Sequence, residues 1–312
     1  MDKRWFVIIN TKSGKGAAKS KWQAIEALLN THGFQFEHHF TEYHKHSTKL
    51  IQMAVNQGYT NIICVGGDGT IHNVVNGIML QDAIAPSAIS LGIIPIGTGN
   101  DWVKTHSIPK NINKAIAIIK NGAIAQQDIG KIELYTKRNE PVYFNNLAGV
   151  GFDGYVVSKV EKLKHLGAVA YILGALSGVF NAKNIDCVIS TNTEEVINKS
   201  LMVLVGICQY SGGGMRLTDD PKIDDGLFDI SAALNFTGFD IIRNIMRLFN
   251  GKLKHSRKVW MSKSSSVSIA VSNDRDAYIQ ADGELIGKGG MDISLIPKAL
   301  SFYCPKKIAS IS

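Results

Sequence analysis

Two glycine-rich turns carry the residues whose types and spacing could do chemistry. Val65-Gly66-Gly67-Asp68-Gly69-Thr70 follows the apolar run Asn61-Ile62-Ile63-Cys64-Val65 and leads into Ile71-His72-Asn73-Val74-Val75-Asn76-Gly77-Ile78. The run before the turn reads as a buried strand and the run after it as a helix. Such a turn offers backbone N–H groups and the positive end of a helix dipole to an anion, and its glycines let a phosphate approach the backbone closely. Asp68 suits that setting when a cation or a proton transfer uses its charge, although Gly-Asp-Gly is also ordinary turn chemistry. The pattern then repeats, with Leu91-Gly92-Ile93-Ile94-Pro95 as a strand and Ile96-Gly97-Thr98-Gly99-Asn100-Asp101 as the turn. Two such units in tandem lie side by side in a parallel sheet and bind ligands at the carboxyl ends of the strands.

The elements needed to position these turns run through the first part of the chain. Residues 5–9 read as a first strand, followed by the basic turn Asn10-Thr11-Lys12-Ser13-Gly14-Lys15-Gly16, which lacks the spacing of a Walker phosphate loop. Ala18 to Asn30 has the apolar spacing of one amphipathic helix (Trp22, Ile25, Leu28, Leu29). Phe34 to Phe40 alternates as a second strand ending at Thr41, and helices are expected over 49–56 and 113–120. Alternation of strand and helix to about residue 125 predicts an α/β doubly wound, mainly parallel sheet. After Gln127 the pattern changes to short alternating strands at 129–135, 141–147, 185–191, 199–208, 227–234, 265–271, 276–281 and 292–296. Helical stretches at 154–180 and 238–249 interrupt them, and the whole reads as an antiparallel β-sandwich.

GGDGT at 66–70 followed by PxGTGND at 95–101 resembles the diacylglycerol kinase catalytic-domain family, which includes sphingosine kinases and bacterial lipid kinases. Later segments match in the same order. Phe144 to Asp153 resembles the family's FxNxxGxGxDA segment, with Gly154 in place of alanine. Gly212-Gly213-Gly214-Met215 with Asp224-Asp225-Gly226-Leu227-Phe228-Asp229 resembles its GGGM…DDGxFD segment, and Asp282-Gly283-Glu284 its late DGE. The resemblance implies a nucleotide-binding domain at 1–127, a β-sandwich lipid-substrate domain at 128–298, and a return of 299–312 to the first domain. It implies ATP and Mg²⁺ as cofactors, and γ-phosphate transfer to a lipid hydroxyl. Asn10, Thr11, Lys12, Ser13, Gly14, Thr41, Gly66, Gly67, Asp68, Gly69, Thr70, Gly97, Thr98, Gly99, Asn100 and Asp101 would hold the nucleotide. Asp282 would be the general base, Asp68 and Glu284 would serve the catalytic magnesium, and Lys222, Asp225 and Leu227 would form a structural magnesium site. The chain departs from the family pattern at Thr11 (usually proline), at His72-Asn73 (often Asn-Glu), at Trp102 (usually phenylalanine) and in the position of Pro221.

Composition fits this reading. With 45% hydrophobic and 19% charged residues the 312-residue chain can bury two cores. Lys+Arg 34 against Asp+Glu 26 gives +8, a balance suited to nucleotide phosphates or a lipid surface. No nucleic-acid module accompanies that charge. Cys64, Cys187, Cys208 and Cys304 have no paired spacing, so a reduced cytoplasm is expected. The longest apolar run, 166–180, is shorter than the ~20 residues a spanning helix needs, which leaves peripheral membrane contact. His38, His39, His44 and His46 match no standard metal spacing and read as surface. Diacylglycerol, a sphingoid base, phosphatidylglycerol and a polyprenol all stay open as substrates, and so does the oligomeric state, a homodimer included. An NAD kinase on a related fold shares GGDGT but lacks the later segments. A non-catalytic nucleotide-binding regulator would have no use for Asp282 and Glu284.

Overall fold

The structure is a computed structural model, and it describes residues 3–97, 100–160, 183–273 and 275–306. It forms two compact units, one of Met1–Gln127 with Lys298–Ser312 and one of Asp128–Pro297.

The first unit is built on a parallel sheet. Strands β1 (Arg4–Asn10), β2 (Gln35–Thr41), β3 (Asn61–Gly66) and β4 (Ser90–Pro95) run in the spatial order β4-β3-β1-β2. The central strands are apolar on both faces, as buried parallel strands must be. Trp5, Val7 and Ile9 of β1 share one core with Ala18, Trp22, Ile25, Leu29, Ile116 and Ile119 of the covering helices. In place of one helix over 18–30 there are two, α1 (Ala17–Ser20) and α2 (Trp22–Thr31), with Lys21 at φ −90°, ψ −4° between them. On β2, His38 packs against Trp22 (ring centroids 4.6 Å) and His39 stacks on Phe6 (4.8 Å) while its Nε2 meets Glu37 Oε1 at 2.6 Å. Helices α3 (His46–Asn56) and α4 (Asp68–Leu80) pack closely. A Cβ on Gly77 of α4 would lie 2.9 Å from Ile51 Cβ and 3.0 Å from Thr48 Cα of α3.

The unit is completed by α5 (Asp101–Thr105), α6 (Ile112–Asn121) and the end of the last strand. Asn111 caps α6 by accepting the Lys114 N–H. Ser301 and Phe302 pair in parallel with Ser90 and Leu91 of β4. Tyr303 packs on Trp5 (5.4 Å), and its hydroxyl receives Lys3 Nζ (3.0 Å) and donates to Asn61 Oδ1 (3.1 Å). The part of the return expected at 307–312 lies outside the described residues.

The second unit is antiparallel. Its strands are β5 (Ala123–Leu134, begun in the first unit), β6 (Lys137–Phe144), β7 (Leu147–Gly151), β8 (Ile185–Thr191), β9 (Glu195–Gly206), β10 (Phe228–Leu234), β11 (Val259–Ser264), β12 (Ser266–Val271), β13 (Tyr278–Ala281), β14 (Glu284–Lys288) and β15 (Met291–Cys304). The long β9 organises them: its first half pairs with β8, its second with β7, and β10 also pairs with it. Inward residues such as Ile189, Val203, Val205, Phe228, Ile230 and Ile279 form the core. Helix α7 (Phe152–Val160) follows β7, and the rest of the helix expected over 154–180 falls outside the described residues. The helix expected at 238–249 is α8 (Gly238–Asn250).

Three further segments differ from the sequence reading. The strand expected at 141–147 is divided, because Asn145-Asn146 turns the chain between β6 and β7. Residues 259–264 form a strand that the reading did not place. The loop expected after residue 281 contains β14, because Asp282 (φ 51°) and Gly283 (φ 80°) reverse the chain in two residues. That geometry is the primed hairpin turn that favours Asp-Gly.

Replacing a helical glycine by alanine ordinarily adds ~1 kcal/mol of helix stability. For Gly77→Ala the crowding against Ile51 and Thr48 outweighs this, because overpacking costs about 1–3 kcal/mol. The variant should unfold at lower urea than the parent, and a higher midpoint would refute the tight α3–α4 contact.

Candidate active site

In the first unit the carboxyl ends of β1, β2 and β3 are stitched together by side chains from their turns. Asn10, closing β1, donates from Nδ2 to Thr70 Oγ1 (2.8 Å). Its Oδ1 accepts from the Lys12 N–H (3.0 Å) and from Thr41 Oγ1 (3.5 Å). Ser13 Oγ and Thr70 Oγ1 share a hydrogen bond of 3.1 Å, and Thr11 Oγ1 donates to the Thr41 carbonyl at 3.1 Å. The strand order changes direction between β1 and β3, where open α/β sheets take ligands. Gly66 leaves no room for a side chain, since a Cβ there would lie 2.6 Å from Thr70 Cβ and overlap its hydroxyl.

The second glycine turn joins this cluster through one carboxylate. Asp68 Oδ2 accepts the Asp101 N–H (2.9 Å) and Oδ1 the Trp102 N–H (3.3 Å), at the start of α5. The Ile96 N–H bonds the Gly66 carbonyl (2.8 Å). A Cβ on Gly14 would sit 3.2 Å from Ile96 Cγ2, and one on Gly67 3.4 Å from both Asn100 Oδ1 and the Ile96 carbonyl. The turns at 10–14, 66–70 and 96–101 therefore meet, whereas Thr98 and Gly99 lie outside the described residues. Asn100 gives Nδ2 to the Gly97 carbonyl (2.9 Å), while its buried Oδ1 has no hydrogen-bond partner among the described residues. An orphan acceptor suits a ligand hydroxyl or a metal-bound water rather than a phosphate oxygen.

Trp102, which stands where the family has phenylalanine, is held from behind. Gln127 Oε1 takes hydrogen bonds from Trp102 Nε1 (3.0 Å) and His106 Nε2 (2.9 Å). Burial lowers the His106 pKa to about 3, so the ring is neutral and this anchor carries no charge.

In the second unit Asp282 occupies the β13–β14 turn. Its Oδ1 accepts the N–H groups of Asn146 (2.9 Å) and Leu147 (3.2 Å), and its Oδ2 that of Asn145 (3.1 Å). Glu284 pairs with Ala281 across the same turn. The reading of the sequence missed Gln280 as a site residue. Its Oε1 accepts the Gly283 N–H (2.8 Å), and its Nε2 donates to Asp153 Oδ2 (2.6 Å). The available signal was a polar residue between Ile279 and Ala281, two places before Asp282. Asp153 is half-buried as a residue, but its carboxylate lies near Gly149 and Leu204. Desolvation of that carboxylate raises its pKa to about 6, with the Gln280 hydrogen bond opposing.

Among the described residues Asp153 is the sole charged one lining an apolar cleft. Phe152, Val156, Leu204, Leu217, Phe236 and Ile241 supply part of its wall, with Leu248 and Phe249 from α8. Elsewhere in this unit the Lys222–Leu227 loop is pinned by Asp128, whose N–H meets the Ile223 carbonyl (2.7 Å) and whose Oδ2 accepts the Gly226 N–H (2.8 Å). Asp225 is exposed and accepts the Leu227 N–H (3.1 Å). Among the described residues no group of three His, Cys, Asp or Glu side chains could hold a metal. The oxygen donors present, namely the Asp68 and Asp225 carboxylates, the orphan Asn100 Oδ1 and loop carbonyls, are nonetheless the hard ligands that Mg²⁺ takes together with water and phosphate.

A strand–glycine turn–helix cradle on a doubly wound sheet, joined to an antiparallel sandwich with an apolar cleft, defines a class of nucleotide-dependent phosphotransferase. Residues 4–132 match the diacylglycerol kinase catalytic domain, and residues 146–304 match the YegS C-terminal NAD kinase beta sandwich-like domain. The chain is 30% identical to a diacylglycerol kinase of Staphylococcus saprophyticus over 99% of its own length and 97% of the relative's. It is 29% identical to one of Staphylococcus epidermidis over 99% and 94%. The crystal structure of a diacylglycerol kinase from Bacillus anthracis superposes with a TM-score of 0.72 at 22% identity, covering 97% of both chains, which shows the shared fold. The chain belongs to the diacylglycerol kinase family and is a kinase.

Two outcomes test this geometry. Asp68→Asn keeps one acceptor where two backbone N–H groups need them, and hydrogen bonds to charged groups are worth roughly 1.5–3 kcal/mol. Calorimetric titration should show ATP binding weakened about 10–100-fold; unaltered binding would reduce Asp68 to a turn residue. For Asp153, the folded pKa of about 6 lies above the ordinary 3.8. Between these values the folded chain holds a proton that the unfolded chain has released, so stability falls as pH rises through the window and stays lower above it. Asp153→Asn should flatten that decline, a change on the order of 1–3 kcal/mol by urea unfolding; an unchanged pH profile would place the carboxylate in water.

Proposed function

We propose that the protein transfers the γ-phosphate of ATP to the hydroxyl of diacylglycerol or a closely similar lipid taken from a membrane surface. The supporting observation is that Gln280 ties Asp153, in the wall of the apolar cleft, to the Asp282–Gly283 turn. An acyl chain lodged in that cleft leaves its polar end to the carboxylates of this one network. A cleft lined almost wholly by aliphatic and aromatic side chains suits a lipid and offers little to a dinucleotide, which disfavours the NAD kinase reading. The first unit binds ATP: its N–H-rich turns receive the phosphates, and the Asn100 acceptor takes a hydroxyl or a bound water.

Phosphoryl transfer needs positioning and charge neutralisation more than covalent help from the protein. Magnesium, held by Asp68 directly or through water, would neutralise phosphate charge. A second ion at Lys222, Asp225 and Leu227 would brace the loop already fixed by Asp128. Asp282 serves as general base for the lipid hydroxyl, and its three backbone N–H contacts hold the carboxylate at a fixed angle. Reduced cysteines and the apolar setting of most of them suit a cytoplasmic enzyme working peripherally at the bilayer.

The direct test is transfer of radiolabelled γ-phosphate from ATP to diacylglycerol, a sphingoid base, phosphatidylglycerol and a polyprenol, with NAD as control. Labelled diacylglycerol product supports the reading, and label on NAD alone would overturn it. Asp282→Asn should lower kcat by about 10²–10⁴ with ATP affinity retained. It should also lower Tm, because asparagine cannot accept from all three backbone groups. A reduced Tm with kcat preserved would assign Asp282 to holding the 145–147 turn alone.

A further inference from the structure

Helix α8 is apolar on two faces. The inner face sends Ile241, Leu248 and Phe249 to the wall of the cleft. The outer face presents Phe239, Ile242 and Met246 to solvent, 71%, 53% and 71% exposed. Three large apolar side chains at i, i+3 and i+7 form one stripe, too concentrated to be the scattered surface residues found on any protein. The helix is nonetheless firmly built. Thr237 and Asp240 form a reciprocal capping box, Lys258 Nζ pairs with Asp240 Oδ2 at 2.6 Å, and Gly251 (φ 69°) closes the other end. An element this well capped and this exposed is made to meet something apolar.

The charge around the stripe says what. Asp240 is the one acid on the helix, and the cap and Lys258 already engage it. Of the neighbouring cations Lys254 is paired with Asp219 (2.9 Å). Arg243, beside the stripe, and Lys252 and Arg257, just beyond the helix, are exposed and carry no ion pair among the described residues. Apolar side chains flanked by unpaired cations complement an anionic bilayer, with hydrocarbon below and phosphate headgroups at the rim. A helix of 13 residues cannot cross a membrane, and among the described residues no helix is long and apolar enough to do so.

We propose that α8 lies in the plane of an anionic membrane, with Phe239, Ile242 and Met246 among the acyl chains and Arg243, Lys252 and Arg257 at the phosphates. The helix that walls the cleft is then itself the anchor, so the cleft opens beside the lipid it draws on. This rests on the lipid kinase reading for its biological use, but not for its physical test.

The full-length protein is sedimented with vesicles of phosphatidylcholine alone and of equal parts phosphatidylcholine and phosphatidylglycerol. Binding to the anionic vesicles is expected, weakening as salt rises. The combined variant Phe239→Ser, Ile242→Ser, Met246→Ser should lose about tenfold or more in affinity at unchanged Tm, since these side chains lie outside the cleft wall. Arg243→Gln, Lys252→Gln, Arg257→Gln together should erase the preference for anionic vesicles, a loss of roughly 10–100-fold. Equal binding by parent and serine variant overturns the proposal. So does a concentration-dependent dimer that the serine variant alone dissociates while vesicle binding persists, which would make the stripe a contact between copies. Phosphorylation of a short-chain, monomeric diacylglycerol separates the two readings. Vesicle binding without any lipid phosphorylation sinks the lipid-substrate reading and leaves the anchor. Phosphorylation of the monomeric lipid by both proteins, with vesicle-borne lipid used by the parent only, supports both.

Discussion

The meeting of the first unit's glycine turns depends on one charged group accepting two backbone hydrogen bonds. Asp68 rises from the first turn and takes the N–H groups of Asp101 and Trp102 in the second. Helix α5 has only five residues, too few to sustain itself by propagation. It needs a carboxylate at its amino end, and Asp68, the first residue of α4, provides one. Placement of the second turn follows, and with it the contacts of Gly14 and Gly67 with Ile96 and Asn100. Trp102, fixed from the far side by Gln127, keeps α5 from sliding away from that carboxylate.

The second unit solves a different problem, which is how to keep polar groups beside an apolar cleft. Gln280 does so by satisfying both ends of its amide, one on the hairpin and one on Asp153. A buried carboxylate without such a partner would be costly, and burial still moves Asp153 toward its neutral form. The result is a cleft whose one charged wall residue among those described has its pKa raised to about 6 by burial.

Much of this was legible because turns and strands leave short-range marks. Gly66-Gly67 and Gly97 sit where strands meet helices, so both halves of the cradle could be placed from local residues. Asp282-Gly283 announced a hairpin by composition, and the backbone adopts it. What the carboxylate of Asp282 does was not legible, since it reaches the N–H groups of a turn far away in the chain. Gln280 and Asp128 escaped notice for the same reason, each acting through a partner that only the fold brings near. Strand β11, Val259–Ser264, was hidden by the basic stretch before it, and β14 by Gly287, which reads as loop until the hairpin fixes its register. Local chemistry wrote the turns, and tertiary pairing assigned the duties of the carboxylates.

The last strand has a consequence for how the protein is made. Residues 291–294 of β15 pair with β12 in the second unit, and 301–302 pair with β4 in the first. Domains emerging from a ribosome generally fold in order, amino-terminal first. This chain cannot follow that order fully, because the edge of its first sheet is delivered by residues synthesised after the second unit. Until Phe302 arrives, β4 offers an open row of N–H and C=O groups, and Trp102 and His106 lack the ring they pack against. An exposed parallel edge of that kind invites wrong partners. The nascent protein thus carries its first unit in an unfinished, adhesive state throughout translation of the sandwich, a window in which a chaperone has most to do.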